Sequence, residues 1–401
     1  MTTEQTPLTG RFNLLPMEGV IFGPGSLSQL GDECERLGMT RIFLIVSPSL
    51  ARTTDIETRL KKLIGDRIAL TYMGSQPHTP DDVVLEAAAA ARTAGVDGLV
   101  AVGGGSPIDI AKAVNLCLAE NVTTREELLD HAVKFTYPDQ AVFPPLAGAY
   151  LPQISVPTTL SAGEFSNITG ITDTVDLVKN LYVSDKLTAR VVIHDPELGR
   201  DTPRDLWAST GMRSVDHCIE ALCSAAAQPV TDALCTDGLR RLATYLPIST
   251  KNPDDLEAAS QCLMGAWESI FGLTNVTLGL SHGVGHQLGA RNGVPHGVTS
   301  CVMLPTVLDF NLDHTREQQR RIAEIFAEAM GVDVPANGAA GGIVRDFIAA
   351  LGQPTTLSEV GVTREDFPFI ARDAMQDMIV ATNPRPVDGE DDVISLLERA
   401  Y

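Results

Sequence analysis

The sequence predicts an α/β N-terminal domain with a parallel sheet (residues 1–193), followed by an all-α C-terminal domain (194–401). The chain has 401 residues, which is enough for two domains of ordinary size. Up to about residue 193, short apolar runs alternate with helical patterns, as in a mainly parallel sheet covered on both faces. Beyond that point, long amphipathic segments follow one another with few strand signals, which is typical of a helical domain.

The strands of the first half are predicted from compact apolar runs bounded by polar or glycine-rich stretches. The predicted strands are residues 41–46, 67–72, 98–102, 153–156 and 191–193. Residues 80–94 form a predicted helix, with Thr79 as its N-cap and Pro80 at its first position. The helices predicted in the second half are residues 209–227, 230–246, 254–273, 280–289, 299–311, 316–330, 341–351 and 364–378.

The composition argues against several classes of protein. Acidic residues number 51 and basic residues 30, a net charge of −21, which argues against binding to nucleic acid or to an anionic membrane. The polar start of the chain predicts no signal peptide. Seven cysteines without a C-x-x-C pair favour a reducing cytosol over a disulfide framework. We therefore expect a cytoplasmic protein.

A glycine loop follows the predicted strand at residues 98–102. Gly103, Gly104, Gly105 and Ser106 precede Pro107, and a helical pattern begins there. Glycines let the backbone approach an anion, and a helix N-terminus offers free N–H groups, so a pyrophosphate would fit. A simple tight turn is the alternative, because the loop is not a G-x-G-x-x-G fingerprint.

A hydroxyl-rich segment follows the next predicted strand. Thr158 and Thr159 begin it, at the carboxyl end of residues 153–156. Ligands of parallel sheets bind at such ends, so these hydroxyls could donate to a phosphate, ribose or amide group. A loop that only caps itself locally is equally compatible with the pattern.

Histidines provide the strongest candidate site. Residues four apart on a helix share a face, which pairs Arg213 with His217 and His282 with His286. His296 follows a glycine turn and can fold back toward them. Imidazole binds metals and also transfers protons near neutral pH. A surface histidine cluster, or a core histidine at 217, is the structural alternative.

These motifs occur in the same order in a known superfamily. The chain also contains the segments Phe22-Gly23-Pro24-Gly25, Asp195-Pro196 and Thr382-Asn383-Pro384-Arg385-Pro386. With all these motifs, it resembles the iron-containing alcohol dehydrogenases. That superfamily includes the maleylacetate reductases and is related to the dehydroquinate synthases. The resemblance implies a dehydroquinate synthase-like fold in which the α/β domain binds NAD(P), with substrate in the cleft. By resemblance, the cofactor is held by Gly103, Gly104, Gly105, Ser106, Thr158, Thr159, Lys179 at the ribose, and Ser47.

The chain departs from the metal-dependent members at Arg213, where they carry an Asp ligand. A guanidinium has no lone pair to offer a cation and stays protonated. If a metal is bound, its ligands would be His217, His282 and His296, so iron or zinc is doubtful. Asp216 is expected to face away from His217, since one residue turns a helix by about 100°. The maleylacetate reductases also lack that Asp and work without metal.

The function expected from this resemblance is NAD(P)H-dependent reduction. The reduced group is a carbonyl, or an enoate as in maleylacetate reductase, of a small substrate that can carry a carboxylate. His286 is the candidate proton donor, and Arg213, His217, His282 and His296 would stabilise charge. Ser47-Pro48-Ser49 carries no acid, so NADP(H) is as compatible as NAD(H). A homodimer is the family expectation.

Three alternatives stay open from the sequence. The chain could be a metal-dependent alcohol dehydrogenase of small alcohols or aldehydes. It could be a lyase of the dehydroquinate synthase kind, although its basic residues are too scattered to indicate a phosphate pocket. It could also be a catalytically silent nucleotide-binding relative whose site decayed at Arg213.

Overall fold

The structure is a computed structural model that describes residues 9–401. Ten strands lie in this part of the chain: β1 (Gly19–Phe22), β2 (Ile42–Val46), β3 (Ile68–Tyr72), β4 (Gly98–Gly103), β5 (Lys134–Thr136), β6 (Gln140–Val142), β7 (Gln153–Pro157), β8 (Ile168–Asp173), β9 (Val178–Val183) and β10 (Val191–His194).

The α-helices of the first half alternate with these strands: α1 (Leu30–Arg36), α2 (Pro48–Thr53), α3 (Ile56–Ile64), α4 (Asp81–Ala94), α5 (Gly105–Ala119) and α6 (Arg125–Leu129). The second half is helical: α7 (Arg204–Cys223), α8 (Pro229–Lys251), α9 (Leu256–Asn275), α10 (Leu280–Asn292), α11 (His296–Asn311), α12 (Arg316–Met330), α13 (Gly341–Ala350), α14 (Phe367–Ala374) and α15 (Glu390–Ala400). Among the described residues, no helix has both the length and the apolar character needed to cross a bilayer.

Six strands form one parallel sheet in the order β1-β10-β7-β4-β2-β3. In its centre, Leu99 of β4 pairs with Phe43 of β2 and with Gln153 of β7. Every residue of β2, β4, β7 and β10 is buried, as expected for a parallel sheet with helices on both faces. Their carboxyl ends meet at one edge, where ligands of such sheets bind.

The predicted fold class is confirmed: a parallel α/β domain precedes a helical domain. All five predicted strands are present within a residue or two of their predicted ends. The sequence prediction missed β1, an edge strand whose residues are only partly buried, and the antiparallel hairpins β5–β6 and β8–β9. The boundary at 193/194 stays a prediction; it falls one residue before the end of β10, ahead of the segment that leads to α7.

The eight predicted C-terminal helices correspond to α7–α14, and α15 was not predicted. The prediction that Thr79 caps α4 is wrong. Pro80 is the N-cap residue, and Thr79 has a φ of 54°. The Thr79 carbonyl accepts a hydrogen bond from the backbone N–H of Thr172, so this residue joins α4 to the β8–β9 hairpin.

Candidate active site

The glycine loop joins β4 to α5 at the carboxyl edge of the sheet. Gly103 has a φ of 147°, and a Cβ on it would lie 2.7 Å from the Cβ of Ser47 and 2.9 Å from the Cγ of Pro107. A Cβ on Gly104 would lie 3.1 Å from the Cγ2 of Thr159. At position 103 only glycine tolerates both this backbone angle and this crowding. The turn therefore brings Ser47, the loop and Thr159 together, as the sequence predicts.

The loop has the chemistry of an anion cradle. Helix α5 begins at Gly105, so its unpaired N–H groups and the positive end of its dipole face the turn. Ser106 lies in the first helical turn, and the hydroxyl oxygens of Thr159 and Ser161 lie 3.4 Å apart beside it. A Cβ on Gly105 would lie 3.4 Å from the Ser161 Oγ. These residues fit the pyrophosphate of a dinucleotide.

The segment after β7 is tied to helix α7 of the helical domain. Thr202 Oγ1 donates to the Thr158 carbonyl at 2.6 Å. Within α7, Thr210 Oγ1 accepts from the Leu160 N–H at 3.2 Å, and Ser214 Oγ donates to the Leu160 carbonyl at 2.5 Å. Residues 158–160 therefore keep a fixed position relative to the helix that carries Arg213 and His217.

Lys179 projects from β9 across Gly170, where a Cβ would collide with its side chain. Burial lowers the pKa of Lys179, and the guanidinium of Arg213 lowers it further. In turn, the Lys179 ammonium lowers the pKa of His286 and His296. Lys179 therefore lies close enough to the histidine cluster to influence the pKa values of its rings. Its contact with a ribose stays a prediction.

All four predicted histidines come together at the start of α10 and α11. The rings of His217 and His282 stack with centroids 4.9 Å apart, and those of His286 and His296 with centroids 5.5 Å apart. His217, His282 and His286 are buried and His296 is half-buried. Burial is the first cause that lowers the pKa of each ring, and Arg213 adds to it. The pKa values of His217, His282 and His296 lie well below the usual value, so these rings are neutral at pH 7.

Arg213 lies among these rings with 4% of its surface exposed. Its Nη1 donates to Ser300 Oγ at 3.3 Å and lies 3.9 Å from Asp216 Oδ2. Burial lowers the pKa of Arg213 to about 10, while Asp216 and Glu220 act to raise it. The guanidinium is therefore still cationic at neutral pH. Within the described residues it makes a single hydrogen bond, so most of its five N–H donors are free.

Glu220 is a functional residue that the sequence reasoning missed. Its carboxylate accepts from the N–H groups of Gly279 and Ser281, at 2.9 and 2.8 Å, and from Nδ1 of His282 at 2.7 Å. The same carboxylate therefore caps the N-terminus of α10 and orients the ring of His282. Its spacing in the sequence could have indicated it: Glu220 lies seven residues, or two helical turns, after Arg213, so the two side chains share a face of the helix.

Asp216 also contacts the histidine cluster, through a different ring from the one considered in the sequence. The expectation that it faces away from His217 stays a prediction, while its Oδ2 lies 3.5 Å from Nδ1 of His282 and accepts from Ser281 Oγ at 2.7 Å. The first turn of α10 is bonded to side chains of α7, so Asp216 reaches the cluster through Ser281 and His282. Burial raises the pKa of Asp216 to about 8, the neighbouring Glu220 raises it too, and Arg213 opposes both.

Asp377 was also missed. It lies 91 residues from His286 in sequence, and its Oδ2 is 2.6 Å from Nδ1 of that ring. Only the tertiary fold brings them together, so no local pattern could have indicated the pair.

The residues present do not suit a divalent cation. Asp216, Glu220 and His282 lie close enough to be considered as ligands. Nδ1 of His282 is already held at 2.7 Å by Glu220, and Oδ2 of Asp216 accepts from Ser281 Oγ. Of the carboxylate oxygens in this set, only Oδ1 of Asp216 lacks a partner among the described residues. The other set is His217, His282 and His296, and Nε2 of His282 is buried without a partner in the described residues. Arg213 lies beside that set as a fixed positive charge.

Comparisons with known proteins identify the family of the chain. Residues 18–196 match the family model of iron-containing alcohol dehydrogenase, and residues 207–401 match that of the Fe-containing alcohol dehydrogenase family, C-terminal. A maleylacetate reductase of Pseudomonas knackmussii is 30% identical over 382 residues, 95% of each chain. An NAD-dependent methanol dehydrogenase of Bacillus methanolicus is 29% identical, over 92% of this chain and 95% of that protein.

Solved structures show the same relationship. A 1,3-propanediol oxidoreductase superposes with a TM-score of 0.87 at 28% identity, covering 98% of this chain and all of that one. The two family models together span most of the chain, and the relatives match it over nearly its whole length. The chain therefore belongs to the iron-containing alcohol dehydrogenase family and is an NAD(P)-dependent oxidoreductase.

Proposed function

We propose that this enzyme reduces a carbonyl, or an enoate, of a small carboxylate-bearing substrate with NAD(P)H and without a metal ion. One observation carries the proposal: Arg213 is a buried cationic guanidinium beside four histidines, and within residues 9–401 most of its donors are free. A group of this kind stabilises negative charge on a substrate oxygen, and its planar fork also binds a carboxylate through two hydrogen bonds.

The cofactor would be held by the cradle at the sheet edge. Gly103, Gly104 and Gly105 would receive the pyrophosphate, with the hydroxyls of Thr159 and Ser161 beside it. Bound NAD(P)H supplies the hydride for reduction. Ser47 and Ser49 place hydroxyls, 3.0 Å apart, where many NAD-specific relatives carry an acid. We therefore propose that both dinucleotides are accepted.

The protein's own groups supply charge and a proton. Arg213 would stabilise the oxyanion that forms at the substrate, because it is the permanent cation of the cluster. The neutral rings of His217 and His282 would line the substrate site. Because Glu220 accepts from Nδ1 of His282, Nε2 of that ring is an acceptor and would bind a hydroxyl group of the substrate or of the alcohol product. His286 would deliver the proton, since its Nδ1 is bound by Asp377 and its Nε2 is left for a reacting group.

Electrostatics support a reaction without metal. A guanidinium about 5 Å from a divalent ion repels it by on the order of 6 kcal/mol at an effective dielectric of 20. Arg213 would thus replace the metal as the electrophile. The maleylacetate reductase relative is compatible with this chemistry and with a carboxylated substrate.

The test is oxidation of NADH and NADPH with a panel of aldehydes, ketones, oxo acids and enoates, after chelation and metal analysis. We expect turnover with a carboxylated member of the panel and no effect of EDTA. Arg213→Gln should lower kcat/KM by about 10²–10³-fold, the cost of removing an oxyanion donor. His286→Ala should slow turnover more than it weakens NAD(P)H binding. Equal losses in both would contradict the assigned role, and absence of turnover with every substrate would contradict the function.

One observation favours a second candidate, a metal-dependent alcohol dehydrogenase. Nε2 of His282 has no partner among the described residues, and it could coordinate an ion if the Arg213 side chain moved aside. Stoichiometric iron or zinc in protein purified without chelator, with activity lost to EDTA and restored by the metal, would establish it.

We also propose a cytosolic homodimer. Its seven cysteines are free thiols and all buried, which supports a reducing compartment. The dimer rests on the family expectation, and light scattering after size-exclusion chromatography measures it.

A further inference from the structure

His286 is paired with a carboxylate from a distant part of the chain. Its Nδ1 lies 2.6 Å from Oδ2 of Asp377, and both side chains are more than nine-tenths buried. This distance is typical of a strong, charge-assisted hydrogen bond. Because an ionised carboxylate can only accept, the hydrogen of this bond belongs to the ring nitrogen. His286 therefore carries its proton on Nδ1 whenever the ring is neutral.

The fold builds this pair from both sides. Asp377 lies in the turn after α14, where its Oδ1 accepts from the Ile379 N–H at 3.0 Å and its carbonyl accepts from the Val380 N–H at 3.1 Å. On the other side, a Cβ on Gly283 would lie 2.4 Å from Cγ2 of Val380. Gly283 lies one turn before His286 on α10, so the missing side chain lets the 377–380 turn rest against the helix. The carboxylate is thus held in place before any ligand binds.

We propose that Asp377 is the positioning residue that fixes the tautomer and orientation of His286, so that Nε2 is the nitrogen that exchanges a proton with the substrate oxygen. The proposal deepens the proposed function and rests on His286 as the proton donor. In reduction, a hydride adds to the carbonyl carbon and the C–O π electron pair moves to the oxygen. That oxygen takes the Nε2 proton of the imidazolium, and the neutral ring keeps its Nδ1–H toward Asp377.

The charges around His286 show why a carboxylate is needed there. Arg213 from α7 is cationic, and both it and Lys179 from β9 lower the pKa of His286. The rings of His282, on the same helix, and His296, from α11, add no negative charge. Asp377 is the acidic group that favours the charged ring among these neighbours. Without it, a protonated His286 would lie beside the Arg213 cation with no counter-charge from these neighbours.

The tautomer can be read directly by NMR of histidine nitrogens, because the chain has only eight histidines. The His286 signals are assigned by their loss in His286→Gln. In the free wild-type protein at pH 8, we expect the hydrogen on Nδ1. In Asp377→Asn, the amide NH₂ faces the ring and the hydrogen should move to Nε2. Wild-type protein with Nε2–H, or the same tautomer in both proteins, would overturn the proposal whether or not a substrate is known.

Kinetics separate positioning from a merely structural role. Asp377→Asn should lower kcat by about 10²-fold or more, the usual contribution of a general acid, with little change in KM or in NADH affinity. Asp377→Glu should recover part of the rate because it restores the acceptor. The matched control is Asp373→Asn, one turn earlier, where the carboxylate pairs with Arg291 and Arg372 instead. A tautomer change without loss of kcat would overturn the positioning role.

If the wild-type enzyme reduces no carbonyl or enoate, the proposed function fails, whereas the NMR result still decides the role of Asp377. Failure of the proposed function and failure of the role of Asp377 are therefore distinguishable. If Asp377→Asn lowers the melting temperature and the control does not, the tautomer of the folded fraction is measured at 10 °C.

Discussion

At the scale of single residues, Arg213 determines what the histidine cluster can bind. Its neighbours already have the arrangement that supports a metal site: Glu220 holds Nδ1 of His282 at 2.7 Å, and Ser269 Oγ lies 3.4 Å from Nδ1 of His217. Partners of this kind orient histidine ligands. The identity of residue 213 therefore decides how the cluster would polarise a substrate. With Arg213 the guanidinium would do so, and without it a metal ion could take that place.

This difference makes a prediction about metal binding. Arg213→Asp removes the positive charge and adds a carboxylate ligand, so we expect the variant to bind about one equivalent of zinc or ferrous iron. Inductively coupled plasma mass spectrometry after dialysis against the metal gives the stoichiometry. Arg345→Asp changes the net charge equally at a site far from the cluster, between α13 and α11. A variant at position 213 that stays free of metal, like this control, would show that the histidines are not arranged to bind an ion.

At the scale of elements, regular buried segments were predictable and irregular ones were not. The strands β2 and β4 are uniformly apolar and buried, and β7 is buried throughout around Ile154 and Val156, so these sequences were sufficient to predict them. The edge strand β1 and the hairpin β5–β6 are only partly buried and lack that signal. Strand β8 is mostly buried, but its apolar residues are interrupted by Thr, Gly and Asp, so it lacks the signal too. Thr79 resembled an N-cap, but its backbone bond to Thr172 overrides the local preference. Tertiary contacts decide such positions.

The glycine loop allows a prediction at this scale. Gly103→Ala combines an unfavourable φ with a Cβ 2.7 Å from that of Ser47, so we expect the free energy of unfolding to fall by about 1–3 kcal/mol. NADH affinity should fall as well, because the turn cannot keep its shape. Chemical denaturation and NADH fluorescence measure the two effects.

The matched control is Gly342→Ala in α13, where a Cβ meets nothing within 4 Å. Helical Ala should leave stability unchanged or slightly raised and NADH binding intact. Equal behaviour of the two alanine variants would contradict the role of the turn.

At the scale of the whole molecule, the site is assembled from segments that no local pattern connects. Glu220 and His282 are 62 residues apart, and Asp377 and His286 are 91 apart. The sequence predicted the four histidines, Arg213 and the glycine loop, because each belongs to a recognisable motif. It could not predict their carboxylate partners, since these are defined by how α7, α10 and the turn after α14 pack.

Stability should also depend on pH through Glu268 of α9. Burial raises the pKa of Glu268 to about 7, and the neighbouring Arg241 opposes the shift. The folded protein therefore binds more protons than the unfolded chain between about pH 4.5 and 7, and the contribution of this group to stability falls as the pH rises through that window. Glu268→Gln removes the effect, so its stability relative to wild type should improve by about 1–3 kcal/mol from pH 5 to pH 8.

Thermal and urea unfolding at several pH values measure this difference. Glu257→Gln, at the exposed start of the same helix, is the control and should follow the wild-type curve. If Glu268→Gln also runs parallel to wild type, the carboxyl group does not hold its proton in the folded state.

Helix α7 bonds the segment after β7 through Thr210 and Ser214, and it also carries Arg213 and His217. In the proposed function, the segment that would hold the cofactor and the side chain that would polarise the substrate are therefore positioned by the same helix. A domain movement that kept α7 bonded to residue 160 would widen the cleft without changing the distance between these two groups. Such an enzyme can admit substrate and release product without having to rebuild its reacting geometry in every cycle.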